Sequence, residues 1–191
     1  MRLFVALDFP DAVRHAVRDL IARLKPTCRS AKWVRPEAMH ITLKFIGEVN
    51  AEKLTPIRSA LAPVYSAVPV EMQFRGLGFF PNERRPRVLW CGVKASLNLA
   101  ELAADVERAL VPLGIPAESR DFVPHLTLAR FQAEGGSRRD LEALVRAAGE
   151  LKSYDLGQTQ ETEFHLIESV LKPAGADYKR LESFNLLKGP A

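Results

Sequence analysis

"AMHITLKFIG", residues 38–47, has the alternation of a β-strand with a histidine at its mouth. In an extended chain successive side chains point to opposite faces. His40 and Thr42 therefore share one face, and Ile41, Leu43 and Phe45 share the other. The second face is apolar and reads as the anchor that holds the strand to a core. By the same parity Lys44 belongs with His40 and Thr42, either as part of that polar face or as a charge on a solvated rim. A single histidine on a strand is more often a rim or core residue than a catalyst. The stretch taken alone leaves the purpose of its His/Thr face open.

The same pattern occurs twice. "HITL" at His40 returns as "HLTL" at His125, 85 positions on. Each copy follows an extended segment and precedes a helix-forming one. With 4 His and 6 Thr among 191 residues, random order gives about 0.13 His-x-Thr triplets. Two of them, each followed by Leu, point to a duplicated functional element. Imidazole titrates near pH 6.5, about neutrality, so two facing histidines form an acid/base pair, one taking a proton from a nucleophile and the other giving one to a leaving group. A threonine two residues along sets a hydroxyl about 6–7 Å further down the same face. Two such hydroxyls can hold the oxygens of a tetrahedral anion between the histidines, a layout for phosphoryl transfer without metal. A metal centre is the rival reading. Neither copy has the His-x-His, His-Glu-x-x-His or adjacent carboxylate that such centres use. The chain also lacks a G-x-S-x-G elbow, a Walker loop and G-x-G-x-x-G.

Working outward, "RLFVALDF" predicts a first strand, and "PDAVRHAVRDLIARL" a helix opened by Pro10 and faced by Val13, Val17, Leu20 and Leu24. "AKWVRP" is a short extended segment. A helix capped by Asn50 is expected to run to about Ala67, distorted by Pro56 and Pro63. Residues 70–75 alternate as a half-buried strand, and 87–93 read as a more buried one. Leu102, Val106, Leu110 and Leu113 place a helix over 97–113. "VPHLTLARF" is followed by a polar turn, "QAEGGSRRD", and a short helix through Ala148. Residues 154–187 read mainly as strands with a turn at "PAGAD". Strands joined by turns pair antiparallel, so the class is α+β rather than a doubly wound parallel sheet.

Composition bounds the rest. Of the 191 residues 47% are hydrophobic and 26% charged, an ordinary globular balance that excludes disordered and fibrous classes. The net charge of +4 permits a polyanionic partner without demanding one. Two cysteines, Cys28 and Cys91, in unrelated contexts, are too few for a disulfide scaffold and read as reduced thiols. Asp8 and Asp11 close the apolar N-terminal run too early for a signal peptide. No stretch approaches the roughly 20 apolar residues of a membrane span. The expectation is a soluble, cytoplasmic protein without membrane association, one domain over residues 1–191.

"MHITLKFIGEV" and "VPHLTLARF" resemble the paired motifs of the two-histidine phosphoesterase superfamily. More closely, the chain is similar to the bacterial and archaeal RNA 2′,3′-cyclic phosphodiesterases, also called 2′-5′ RNA ligase-like proteins. "RLFVAL", "GLGFFPNERRPRVLW" and "ESVLKPAGADYKRL" extend the likeness nearly end to end. The resemblance implies a bilobal α+β fold, two antiparallel sheets with outer helices related by a pseudo-twofold axis, and a central cleft. It implies hydrolysis of the 2′,3′-cyclic phosphate ends of RNA to 2′-phosphates with no metal required; no other cofactor is expected, and the expected state is a monomer. It makes His40 the proton donor to the departing 3′ oxygen and His125 the base that activates water, with Thr42 and Thr127 on the phosphate oxygens. Arg130 is a further candidate for phosphate binding, but it lies five positions after His125. Strict alternation puts it on the opposite face, and only a strand end or bulge brings it back. Phe79 and Phe80 offer rings for stacking on a base or for packing. His15 and His165 read as structural or surface residues. The same site would also suit 2′-5′ RNA ligation, hydrolysis of a small cyclic phosphate nucleotide, or RNA binding without turnover.

Overall fold

The computed structural model describes residues 1–131, 137–172 and 175–187. Its strands form two antiparallel sheets. In the first, β3 (Ile41–Glu48), β1 (Arg2–Leu7), β8 (Glu163–Lys172) and β9 (Gly175–Asn185) lie in that order. In the second the order is β2 (Lys32–Trp33), β6 (His125–Arg130), β5 (Val88–Ala95), β4 (Val70–Phe80) and β7 (Asp155–Glu161). Every strand pairing in both sheets is antiparallel, as the turn-linked strands predict.

Among the described residues four α-helices pack against the sheets. α1 (Asp11–Leu24) and α4 (Arg138–Glu150) pack together and against β7 and β4, while α2 (Leu54–Leu61) and α3 (Asn98–Leu110) pack together, with α3 against β3. α1 buries Val13, Val17, Leu20 and Leu24, the stripe its spacing predicts. Ser137 caps α4, its hydroxyl accepting from the Asp140 N–H. Apolar residues of both sheets, among them Val5, Leu7, Ile41, Phe74, Leu89, Leu126 and Phe164, belong to one continuous core. Cys28 and Cys91 are buried in it as free thiols, and burial pushes the Cys91 thiol up to about 12.

Several elements differ from expectation. The helix foreseen from Asn50 to Ala67 is a single 3₁₀ turn, Ala51–Lys53, followed by α2, which stops at Leu61. Pro63 cannot continue it, and the Asn50 side chain makes no cap bond. β4 runs on from the expected 75 to Phe80, and α4 continues to Glu150. Parts of the expected turns "QAEGGSRRD" and "PAGAD" lie outside the described residues.

Candidate active site

Each histidine sits where an irregular approach meets a strand. Pro36–Ala38 form one 3₁₀ turn, and β3 begins at Ile41, one residue after His40. His40 Nδ1 lies 3.2 Å from the Ala38 carbonyl, two residues back. His125, the first residue of β6, repeats this with the Val123 carbonyl at 2.8 Å. A carbonyl oxygen only accepts, so Nδ1 carries the hydrogen in both rings and Nε2 carries the lone pair. Each ring also meets the edge or face of an aromatic at 5.0 Å and 86°: Tyr178 for His40, Phe80 for His125. Phe4 lies under His40 with ring centroids 4.4 Å apart.

The two strands share a second device. Between β1 and β3, Ala6 pairs with Thr42 but Val5 pairs with Lys44, so Leu43 is an extra residue. Between β5 and β6, Trp90 pairs with Thr127 but Leu89 pairs with Ala129, so Leu128 is extra. A bulge follows the threonine in each copy and inverts the alternation beyond it. Burial agrees: Leu43 and Lys44 are buried in succession, as are Leu128 and Ala129.

The bulges relocate three side chains. Arg130 turns to the face of His125 and Thr127 and is exposed there. Phe45, its counterpart five positions after His40, is not a core anchor. It is 60% exposed on the face of His40 and Thr42, with its ring 6.2 Å from Phe4. Lys44 is neither on the polar face nor at a solvated rim. It is 5% exposed and donates to Glu107 Oε2 at 3.0 Å and to the Pro116 carbonyl at 2.7 Å. Burying an ammonium requires such partners.

The two sheets bring these faces together. Cα atoms of β3 and β6 come within 8 Å of each other. Arg130, on β6, is close enough to His40 for its charge to oppose protonation there. Burial is the larger cause, and His40 is lowered to about 4, so it is neutral at pH 7 in the unliganded protein. Thr42 and Thr127 are each half-buried on the faces of their histidines.

Residues without a local sequence signal complete the site. Trp90 lies on the Thr127 face, its ring packed closely on Gly78. A Cβ at Gly78 would stand 2.3 Å from the indole, so only glycine admits that ring. The Trp90 indole nitrogen is buried with no hydrogen-bond partner among the described residues. Asp8 bridges Arg14 and Arg180, the latter at 2.7 Å, and Arg14 donates to the Pro36 carbonyl at 2.6 Å. This group walls a cavity of about 170 Å³ beside His40 that Tyr178 also lines. Phe79 is buried against Phe131, whereas Phe80 faces His125 and Trp90. His165 is buried and bonded to Ser183 at 3.0 Å, a structural residue, and His15 is exposed on α1. Among the described residues no group of three or more His, Cys, Asp or Glu side chains is placed to hold a metal, and no helix is long and apolar enough to cross a membrane.

Comparison with known proteins accords with this architecture. The chain is 39% identical over 184 residues to the RNA 2′,3′-cyclic phosphodiesterase of Archaeoglobus fulgidus, covering 96% of this chain and 99% of that one. Among solved structures, a Thermus thermophilus protein superimposes with a TM-score of 0.80 at 32% identity over 100% of both chains. Escherichia coli LigT, crystallised with 3′-AMP, gives 0.76 at 25% identity over 98% of both. The model of the LigT-like phosphoesterases matches residues 7–90 and 93–175, one H-x-T strand in each match. The chain therefore belongs to the LigT-like phosphoesterase family.

Proposed function

We propose that this protein is an RNA 2′,3′-cyclic phosphodiesterase that opens the cyclic phosphate at an RNA end to a 2′-phosphomonoester. The observation that carries the reading is the meeting of two His/Thr faces, one from each sheet, with identical tautomer-setting bonds. The names of the relatives give the substrate class.

In this mechanism Thr42 and Thr127 donate to the non-bridging phosphate oxygens, and Arg130 adds a cation on the same side. His125 Nε2 takes a proton from water as its oxygen attacks phosphorus. The bond from phosphorus to the 3′ oxygen breaks opposite, and His40 Nε2–H supplies the proton to that oxygen. A neutral His40 bonded through Nδ1 has no Nε2 proton to give. The acid form is assembled by the substrate, whose negative charge beside the ring favours the imidazolium against the burial and, secondarily, the Arg130 charge that hold His40 neutral. No step calls for a metal, and both histidines come from one chain. The active unit is thus a monomer, residues 1–191 as a single two-lobed domain acting on RNA in the cytoplasm.

The test is product analysis on an oligoribonucleotide with a 2′,3′-cyclic phosphate end, with and without EDTA. A 2′-phosphate end formed at an undiminished rate in EDTA is the expected result. A 3′-phosphate end reverses the scissile bond, and loss of activity restored by zinc overturns the metal-free mechanism.

A further inference from the structure

Beyond Arg130 the second sheet ends in a basic groove that the acid/base chemistry does not use. The β4–β5 connection, residues 81–87, reads "PNERRPR". Asn82 Oδ1 accepts from the N–H groups of Arg84 and Arg85, at 3.0 and 3.1 Å, which fixes the turn. Arg87 N–H closes the hairpin on the Phe80 carbonyl at 2.7 Å, and Phe131 N–H donates to the Arg87 carbonyl at 2.9 Å. The loop is thereby tied to the strand that carries Arg130 and to Phe80, whose ring faces His125.

Between this loop and α4 lies a groove of about 700 Å³. Glu83, Arg84, Arg85 and Pro86 form one wall; Arg138, Leu141, Glu142 and Val145 form the other. Its two carboxylates are engaged, Glu142 by Arg138 at 2.9 Å and Glu83 by Lys152 at 3.7 Å. Among the described residues the side chains of Arg84, Arg85 and Arg87 make no ion pair or hydrogen bond. Arg84 and Arg85 thus line the groove with uncommitted, exposed guanidiniums on a pinned loop, and Arg87 adds a third at the end of that loop. Leu141, Val145 and Pro86 give the groove an apolar lining for sugars or bases. A charged track with an apolar lining is the chemistry that holds single-stranded nucleic acid without reading its sequence.

We propose that this groove binds the phosphate backbone of the RNA upstream of its cyclic end, so that Arg84 and Arg85 select a polynucleotide over a single nucleotide. The inference rests on the cyclic-phosphate reading above. The terminal phosphate lies between Thr42 and Thr127, and the chain leaves past Arg130 toward the groove. Catalysis at the end is independent of the groove; affinity for length comes from it.

The test compares wild type with the double variant R84A/R85A on two substrates, a nucleoside 2′,3′-cyclic phosphate and an RNA octamer with the same end. The variant is expected to raise KM for the octamer about tenfold at low salt, with kcat unchanged on both substrates and KM unchanged for the nucleoside. R84K/R85K is expected to keep the wild-type KM. Binding of an octamer ending in 2′-phosphate, followed by fluorescence anisotropy, is expected to show a log–log salt slope shallower by about 1.4 in the alanine variant, two contacts at about 0.7 each. Equal KM changes on both substrates, or an unchanged octamer KM with an unchanged salt slope, overturn the groove. If wild type hydrolyses neither substrate the cyclic-phosphate reading fails by itself, and the anisotropy measurement still decides the groove.

Discussion

β3 and β6 are two copies of one device with different endings. Each presents a histidine whose Nδ1 is bonded to the carbonyl two residues back, then a threonine, then a bulge. At the fifth position after the histidine the copies part: β6 places Arg130 on the site face, β3 places Phe45. One position earlier they differ again, with Ala129 in the core of one and the paired, buried Lys44 in the other. The repeated part is what the proposed proton transfer requires, because its acid and its base must be held alike on either side of one phosphorus. The unrepeated part is where a symmetric frame meets an asymmetric substrate. The cation stands on the side of the proposed water, the ring on the side of the proposed leaving group.

The comparison breaks first at the histidines. H40A and H125A are each expected to lower kcat by about 10²–10⁴, the range for loss of a general acid or base. The double variant should fall well short of the product of the two losses, since two groups serving one proton-transfer path do not add. Steady-state rates on the octamer decide this. A single variant with near-normal turnover would remove that histidine from the chemistry and leave the repeat as a structural echo.

Arg130 is next in size. Hydrogen bonds to a charged group contribute about 1.5–3 kcal/mol, so R130Q is expected to lower kcat/KM about 10–10²-fold. The same variant tests the placement of Arg130 toward His40. His40 is lowered to about 4, first by burial and further by the Arg130 charge. Removing that cation favours the imidazolium, so the His40 limb of the kcat/KM profile, which reports the free protein, must move to higher pH. A limb that stays in place would show that the Arg130 guanidinium does not act on His40.

Both copies of the motif, and the strands that carry them, were legible in the sequence, because period-two alternation and a duplicated triplet are local patterns. The bulges were not. One extra residue in one strand of a pair leaves the composition unchanged and inverts the parity of everything after it. This is why strict alternation sends Arg130 to the wrong face and makes Phe45 an anchor. Lys44 was illegible for another reason: its partner Glu107 is 63 positions away on α3, and no local pattern distinguishes a lysine bound for a solvated rim from one bound for a buried pair. Tyr178 and Trp90 likewise reach the site only through pairings of distant strands, β1 with β8 for the hairpin that carries Tyr178 and β5 with β6 for Trp90. The helix expected over 50–67 stops at Leu61, because Pro63 ends it rather than merely distorting it.

The smallest expected effect sharpens the comparison most. Phe45 occupies the position of Arg130 but has no charge, so it can offer contact area to a nucleoside without stabilising charge that develops on the phosphate. Its exposure of 60%, next to Phe4, leaves a ring face open on the His40 side. F45A is therefore expected to raise KM about fivefold, the low end for one aromatic–base contact, with kcat within about twofold of wild type, the signature of lost binding common to ground and transition states. F45Y should restore most of the loss, because it keeps the ring. If F45A instead lowered kcat as R130Q is expected to, the fifth position would serve the chemistry from both strands. The symmetry would then extend past the bulges, and the substrate's orientation would have to be set elsewhere in the cleft.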